Sequence, residues 1–204
     1  GKPIFLPKWA YGYHMSRWSY TQDEITELIA RFRQDNIPLD AVYMDIDYMD
    51  QTPHRGFNAN EYDDNGLHQL LFNDMFSPNV NQLLDNAHAN DVRVIPLIEA
   101  WLTIADPKYP VAESNGYFLQ DNNGNTVVTE LFFGDASWLD FTNSEAKQWW
   151  GDQVGSFIQQ YPFDGIWNDL NEPADTRNTV AESNWVPLNG LVSSDGRFGN
   201  DPTD

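Results

Sequence analysis

The sequence predicts an α/β fold and, within that class, the first four β/α units of a (β/α)8 barrel. Short apolar runs of strand length alternate with amphipathic helical segments, which is typical of a parallel sheet. No glycine-rich phosphate loop follows the first strand, although a doubly wound sheet, the competing architecture, usually carries one. A complete barrel takes about 250 residues, and the chain has 204. We therefore expect residues 1–204 to be part of a single catalytic barrel domain whose remainder comes from a longer chain.

Four strands are predicted from apolar runs bounded by turn or polar residues. They span residues 9–15, 39–46, 92–98 and 163–167. The second run is mostly apolar, as expected for a strand that is covered on both faces. The carboxyl ends of barrel strands meet at one rim, where the active sites of this fold are built. The residues that follow these strands are therefore the first candidates for a site.

Three helices are predicted from their start signals and their apolar spacing. Thr21 and Glu24 form a capping box at the start of the first helix, because the hydroxyl and the carboxylate can each bond the other residue's backbone amide. Ser77-Pro78 looks like the start of the second helix, with Pro at the first helical position. Asn143 is predicted to cap the third helix, which carries an apolar stripe.

Two long loops, at about residues 50–78 and 100–140, are predicted to lie at the rim between these elements. Inside the second, residues 121–125 (Asp-Asn-Asn-Gly-Asn) are typical of a hairpin turn. The same run resembles a Ca²⁺-binding loop, but Phe132 stands where such a loop carries its twelfth-position Glu. A hairpin is therefore favoured over a calcium site.

The charge balance excludes some classes of partner. The chain has 11 Lys and Arg against 31 Asp and Glu, a formal net charge of −20. Nucleic acids and anionic membrane surfaces would be repelled, whereas a neutral carbohydrate is unaffected. The sequence has no apolar run of about 18 residues that would span a membrane, and without cysteine it has neither disulfides nor thiolate metal sites. The compartment and the oligomeric state stay open.

Acidic residues follow three of the four predicted strands. Asp45 and Asp47 end the second strand, Glu99 the third, and Asp169 the fourth. Alternation along the second strand predicts that Asp45 and Asp47 share a face, so both are candidates for substrate contact. Like charges at one rim raise one another's pKa and destabilise the fold. Such a ring of carboxylates indicates that a ligand or a reaction uses them.

Each of these residues also has a structural interpretation. Glu99 could pair with Arg17 or Arg93 instead of a substrate, and His14, at the end of the first predicted strand, could be a histidine with its hydrogen bonds satisfied at the rim. One of the two aspartates could simply bond backbone amides of a neighbouring loop. Four rim carboxylates could also hold Mg²⁺ or Ca²⁺. We expect no metal and no other cofactor, and no His-x-x-x-His spacing indicates zinc.

Residues 164–173, with the sequence DGIWNDLNEP, carry the most specific motif of the chain. They resemble the signature of glycoside hydrolase family 31, in which Trp, any residue, Asp, Met, Asn, Glu and Pro follow an aromatic or apolar residue; Leu170 stands where Met is common. Residues 7–20 and 37–49 resemble the family's first two strand regions. Residues 98–101 (Ile-Glu-Ala-Trp) replace the usual Ile-Asp-Pro of its third strand. The resemblance covers nearly the whole chain and implies a (β/α)8 barrel.

The resemblance implies a role for each matched residue. Asp169 is similar to the family's catalytic nucleophile, and Asp45 to the carboxylate that binds sugar hydroxyls in the −1 subsite. Glu99 replaces an Asp at the rim, and its extra methylene extends the carboxylate by about 1 Å into the pocket or turns it aside. The other matched positions shape the −1 subsite: Trp18, Ile46, Trp167 and Leu170.

The implied activity is retaining hydrolysis of α-glycosidic bonds in oligosaccharides, through a covalent glycosyl intermediate on Asp169. Retaining glycosidases need a second carboxyl group about 5 Å away as the general acid. In the family this group is an Asp after the sixth strand, so we expect it outside this chain and expect the chain alone to be inactive. The alternatives are a transglycosylase of the same family, a non-catalytic carbohydrate-binding protein on the same fold, and a metal-dependent enzyme. The sugar and its linkage stay open.

Overall fold

The computed structural model describes residues 4–50, 66–131 and 133–170, and its centre is a parallel sheet. Elements are numbered in chain order. The strands are β1 His14–Arg17, β2 Ala41–Met44, β3 Met49–Asp50, β4 His68–Phe72, β5 Arg93–Glu99, β6 Trp101–Thr103, β7 Thr129–Leu131, β8 Gly134–Trp138 and β9 Trp167–Asp169. The parallel sheet has the order β1-β2-β5-β9. Successive β/α units therefore lie side by side, as in the wall of a barrel, and the predicted fold class is confirmed.

Helices connect the parallel strands. They are α1 Gln22–Gln34, α2 Val80–Ala89, α3 Tyr109–Ser114 and α4 Ser144–Gln160. Three of them, α1, α2 and α4, match the predicted helices, and their apolar stripes bury residues such as Ile25, Leu84 and Phe157 in the core. None of the helices in the described part of the chain is both long and apolar enough to cross a membrane.

Two of the predicted helix starts are confirmed. The Thr21 hydroxyl accepts a hydrogen bond from the Glu24 amide at 3.1 Å, and the Glu24 carboxylate accepts one from the Thr21 amide at 2.9 Å. The Asn143 side chain accepts hydrogen bonds from the Glu145 and Ala146 amides at the start of α4. These bonds satisfy amides that have no partner within the helix.

The predicted start of the second helix is wrong by two residues. Asn79 occupies the N-cap of α2, and Pro78 lies before it, joined to Ser77 by a cis peptide bond. Pro78 is therefore not the first helical residue. The local composition, a Pro after a small polar residue, also suits the turn that precedes the helix.

The first and fourth predicted strands are displaced along the chain. Residues Lys8–Tyr11 form a 3-10 helix, and β1 begins only at His14. The fourth strand is Trp167–Asp169 instead of residues 163–167. The residues before β1 form a 3-10 helix in which none is buried, and Phe163 lies outside β9 and packs in the core. Hydrophobicity alone therefore gave the wrong boundaries.

The two predicted long loops contain strands. In the first, β4 pairs antiparallel with β3, with a register shift between Met49 and Asp50. In the second, β6, β8 and β7 form an antiparallel sheet, and α3 follows β6. The hairpin turn predicted at residues 121–125 is confirmed by the bridge between Gln120 and Thr126. These insertions pack beside the carboxyl end of β5, where Glu99 and Trp101 are both buried.

Candidate active site

Three predicted carboxylates converge at the carboxyl ends of neighbouring strands. Glu99 is the last residue of β5 and pairs in register with Asp169, the last residue of β9. Asp45 follows β2, the strand on the other side of β5. The three groups are close enough to interact electrostatically, because the negative charge of Asp169 raises the pKa of both Asp45 and Glu99. The rim that the sequence predicted is therefore formed by these three side chains.

Asp45 is held at the point where β2 ends. Its carboxylate accepts a hydrogen bond from the Ile46 amide at 2.6 Å, and it caps the 3-10 helix Ile46–Tyr48. Burial raises the pKa of Asp45 to about 6, with smaller contributions from Asp169 and Asp47, while the Ile46 amide acts in the opposite direction. The group therefore carries its charge at neutral pH and loses it in mild acid.

Glu99 is the most buried of the three carboxyl groups, with 2% of its surface exposed. Burial raises its pKa well above the ordinary value, and the negative charges of Asp169 and Asp45 act in the same direction. Only the Gln69 side chain opposes this shift: its amide nitrogen lies 3.4 Å from Oε2 of Glu99, and its amide oxygen 3.4 Å from the Glu99 backbone nitrogen.

No ion pair neutralises these carboxylates within the residues that the structure describes. Arg17 pairs with Glu24, Arg93 with Asp164, and Lys108 with Asp106. The suggested pairing of Glu99 with Arg17 or Arg93 is therefore wrong. Among the described residues these carboxylates therefore repel one another without a cation beside them, which is typical of a functional site.

Asp47 differs from the expectation drawn from strand alternation. The strand ends at Met44, and Asp47 belongs to the 3-10 helix, where side chains do not alternate between two faces. Only 1% of its surface is exposed. Asp47 still lies close to the rim, as predicted, because its charge contributes to the raised pKa of Asp45.

The apolar residues predicted for the subsite lie in or just after strands of the parallel sheet. Ile46 is buried, directly after Asp45. Trp18 is half-buried just beyond β1, and Trp167 is half-buried at the start of β9 with its ring edge against Tyr43. Leu170 follows Asp169, directly after the end of β9, with a left-handed φ of 50°.

His14 does not lie at the rim. It is the first residue of β1, at the amino end of that strand, because β1 begins later than predicted. Its ring nitrogens contact the Tyr43 hydroxyl at 3.2 Å and the Trp9 carbonyl at 3.1 Å. Both ring nitrogens therefore have hydrogen-bond partners, which supports the structural interpretation of this histidine.

Sequence reasoning missed the residue in contact with Glu99. Gln69 lies within the segment predicted as a polar loop, yet the run Leu67–Phe72 is mostly apolar. A short apolar run between turn residues indicates a buried strand, and a lone Gln in it marks a buried polar group that needs partners. That signal was present in the sequence.

The described residues contain no group of three or more His, Cys, Asp or Glu side chains arranged to hold a metal ion. The rim carboxylates are spread over three strand ends, and Glu99 is directed to Gln69. That no metal takes part stays a prediction.

The fold and the rim together define the class of protein: this is part of a β/α-barrel domain with a cluster of carboxylates at the carboxyl ends of its strands. The chain belongs to glycosyl hydrolases family 31, whose TIM-barrel domain it matches over residues 3–192. The family resemblance carried by residues 164–173 is thereby confirmed.

Similar proteins include α-glucosidase 2 of Bacillus thermoamyloliquefaciens, which is 34% identical over 85% of this chain and 20% of its own length. Lysosomal α-glucosidase of Mus musculus is 31% identical over 85% of this chain and 17% of its own length. The chain thus spans about a fifth of the length of these relatives.

Among solved structures, a family 31 dextranase of Flavobacterium johnsoniae in complex with glucose superposes with a TM-score of 0.77. It is 23% identical, and the match covers 96% of this chain and 22% of the dextranase. A glucosidase II α subunit matches with a TM-score of 0.74 at 18% identity, over 92% of this chain and 19% of its own. At these identities the structures establish the fold alone.

Proposed function

We propose that the protein containing this chain hydrolyses α-glycosidic bonds in oligosaccharides with retention of configuration, and that Asp169 is its nucleophile. The observation that carries the proposal is the meeting of Asp45, Glu99 and Asp169 at the carboxyl ends of three adjacent parallel strands. Active sites of this fold lie at that face. The names of the related α-glucosidases support the same activity.

Asp169 suits the role of nucleophile. It is half-buried at the end of β9, and no described cation pairs with it. The carboxylate would attack the anomeric carbon and form a glycosyl ester while the bond to the leaving oxygen breaks; water then hydrolyses that ester. The neighbouring carboxyl groups favour the step, because Asp169 loses its negative charge on forming the ester and their mutual repulsion ends.

Asp45 suits the role of sugar ligand. An ionised carboxylate accepts hydrogen bonds from sugar hydroxyls, and such charge-assisted bonds are stronger than neutral ones. The Ile46 amide occupies one of its oxygens at 2.6 Å and fixes its orientation. We assign Trp18, Ile46, Trp167 and Leu170 to the walls of the same −1 subsite. Glu99 and Asp47, which are both buried, are assigned to the floor of this subsite.

The general acid of this mechanism is a further carboxyl group about 5 Å from the nucleophile. We assign it to a part of the barrel outside the described residues, in line with the family's Asp after the sixth strand. Asp45, with its pKa of about 6, is the competing choice among the described residues. A variant with Asp45→Asn separates the two: an activated substrate, which needs no protonation of its leaving group, rescues turnover only if Asp45 is the acid.

The test uses the full-length natural protein and an activated fluoro-glucoside, a slow substrate that traps the glycosyl-enzyme. After proteolysis, mass spectrometry is expected to find the sugar on the peptide that contains Asp169, and the Asp169→Ala variant is expected to carry none. A sugar ester on another carboxylate, with Asp169 unmodified, would overturn the assignment. If no fluoro-sugar of a panel covering glucose, galactose and xylose is trapped, the proposed covalent mechanism on Asp169 is wrong for these sugars.

A transglycosylase uses the same nucleophile and differs only in the acceptor. Product analysis with increasing concentrations of an oligosaccharide acceptor separates the two activities. Hydrolysis predicts free sugar as the main product at every acceptor concentration, whereas transfer predicts longer oligosaccharides that come to dominate.

A further inference from the structure

Gln69 connects the carboxylate rim to the antiparallel insertions. Its side chain is fully buried on β4 and faces Glu99 with both of its polar atoms. A Gln amide can donate and accept at once, so one side chain reaches the carboxylate and the backbone amide of the same residue. Both contacts measure 3.4 Å, at the long end of the range for hydrogen bonds.

The backbone of Gln69 is fixed from both sides. Its amide donates to the Asp106 carboxylate at 2.8 Å, and its carbonyl accepts from the Lys108 ammonium at 2.5 Å. Asp106 and Lys108 also contact each other at 3.3 Å, and the Asp106 side chain has no exposed surface. An ion pair whose carboxylate is buried, and which also satisfies a backbone amide and carbonyl, holds that backbone more rigidly than strand pairing alone.

The next residue along β4 has an unusual backbone. Leu70 has a φ of 60°, in the left-handed region that is unfavourable for a residue with a side chain. The other described Leu in this region is Leu170, which follows Asp169. The two remaining described residues with positive φ other than glycine are Asn36 and Asp91, types that tolerate it. Strain of this kind persists where the surrounding structure over-determines the backbone.

We infer that Gln69 is a positioning residue of the active site, which holds Glu99 beside Asp169 and is itself held by the Asp106–Lys108 pair. This inference rests on the proposed function and extends it to a residue outside the family motif. The β3–β4 strand pair and the β6–α3 segment thereby influence the rim carboxylates without belonging to the rim themselves. Without the Gln69 amide, the Glu99 carboxyl group has no described hydrogen-bond partner that fixes its orientation beside Asp169.

The test is a double-mutant cycle in the full-length protein with Gln69→Leu, Glu99→Gln and the double variant. Leu matches the size of Gln but lacks its polar atoms. We expect Gln69→Leu to lower kcat/KM about tenfold, mainly through kcat, because a small displacement of a group beside the reacting atoms costs that much or more. In the Glu99→Gln background the same change is expected to cost less than about threefold, since a residue acting through another shows coupling.

A matched control separates positioning from stability. Thr103→Val removes the hydrogen bond of the Thr103 hydroxyl to the Leu67 carbonyl, 2.7 Å, which holds the start of the same strand without touching Glu99. It is expected to lower the Tm as Gln69→Leu does and to leave kcat/KM within about twofold. Equal losses of kcat/KM in the two variants, or additive losses in the cycle, would overturn the inference.

A pH profile supplies a second readout. The groups that face Glu99 are Asp169 from β9, Asp45 after β2, Tyr48 of the 3-10 helix and Gln69. Because the Gln69 amide lowers the pKa of Glu99, the limb of the profile that reports Glu99 is expected to move to higher pH in Gln69→Leu and to vanish in Glu99→Gln. An unmoved limb would contradict the inference.

Failure of the inference differs from failure of the proposed function. If Asp169 of the wild type traps the fluoro-sugar and the cycle is additive, only the role of Gln69 is wrong. If no variant and no wild-type sample traps sugar at Asp169, the proposed function is wrong, and the cycle has no reaction to report.

Discussion

The carboxylates at the two ends of the parallel sheet have opposite electrostatic surroundings. At the amino end of β5, the Asp164 carboxylate accepts from the Val94 amide at 3.0 Å, contacts a ring nitrogen of His88 at 2.8 Å, and lies 3.5 Å from Arg93. At the carboxyl end, Glu99 and Asp169 face each other with no described cation between them. At the amino end the carboxylate has hydrogen-bond and ion-pair partners, whereas at the carboxyl end the described carboxylates repel one another.

The difference separates structural from functional acids on a single sheet. A carboxylate with a cation and backbone donors stabilises the fold, and its removal costs stability. Carboxylates that repel one another destabilise the fold and are retained because a ligand or a reaction needs them. Substitutions at the two ends of the sheet, made in the full-length protein, are therefore expected to have opposite consequences.

The largest effect is expected for Asp169→Ala. Removal of the nucleophile should lower kcat by about ten-thousandfold, as the loss of a covalent catalyst does, and leave the Tm at pH 7 unchanged or higher, because a repelling charge is gone. Steady-state kinetics and thermal melts measure the two quantities. A loss of Tm of more than about 4 °C would show that Asp169 has a structural role as well.

Asp164→Ala is the matched substitution at the amino end. It leaves the Val94 amide and the Arg93 guanidinium without their carboxylate, so the free energy of unfolding should fall by about 2 kcal/mol. Denaturant titration measures this loss, while kcat/KM per folded molecule is expected to stay within about twofold. A large loss of kcat/KM with unchanged stability would contradict the contrast between the two ends.

Asp45→Asn is expected to stabilise the protein at neutral pH by roughly 1 kcal/mol, discounted for partial exposure. The folded pKa of about 6 lies above the ordinary value of 3.8. The folded state therefore binds more protons between these two values, and the Asp45 contribution to the free energy of unfolding falls as pH rises from about 4 to 6. The gain from the variant should thus vanish near pH 4. A gain that does not depend on pH would mean that charge repulsion is not its cause.

The smallest effect is expected for Arg31→Ala, a control outside both regions. Arg31 and Asp35 form an exposed pair one helical turn apart at the end of α1, with 72% of the Arg side chain exposed. Pairs of this kind contribute less than about 0.5 kcal/mol, and salt screens them. Denaturant titration measures the loss of stability. A loss larger than this would show that the presence or absence of an ion pair does not by itself explain the contrast between the two ends of the sheet.

The parts of the fold that follow local rules could be predicted from the sequence. The capping box at Thr21, the cap at Asn143 and the buried run of β5 depend on residues close together in the chain. The rim was predictable for a similar reason: in a parallel sheet all carboxyl ends lie at one edge, so Asp45, Glu99 and Asp169 could be brought together by topology alone.

The remainder depends on contacts between distant segments. Gln69 is buried only because β4 pairs with β3 and is fixed by Asp106 and Lys108, and no short-range pattern encodes those partners. The strand alternation from which Asp45 and Asp47 were predicted to share a face does not apply, because the strand ends at Met44 and the chain then forms a 3-10 helix. Tertiary context overrides propensity at such strand ends.

The antiparallel insertion also has a consequence for the order of folding. In the β7–β8 hairpin Leu131 pairs with Gly134, whereas the β5–β9 pair joins Leu97 to Trp167. Closing the short hairpin takes about 1–10 μs, while pairing across a long intervening chain must first overcome a larger loop-closure entropy. The insertion is therefore expected to form while the barrel wall is still open, before β9 pairs with β5 and brings Asp169 beside Glu99.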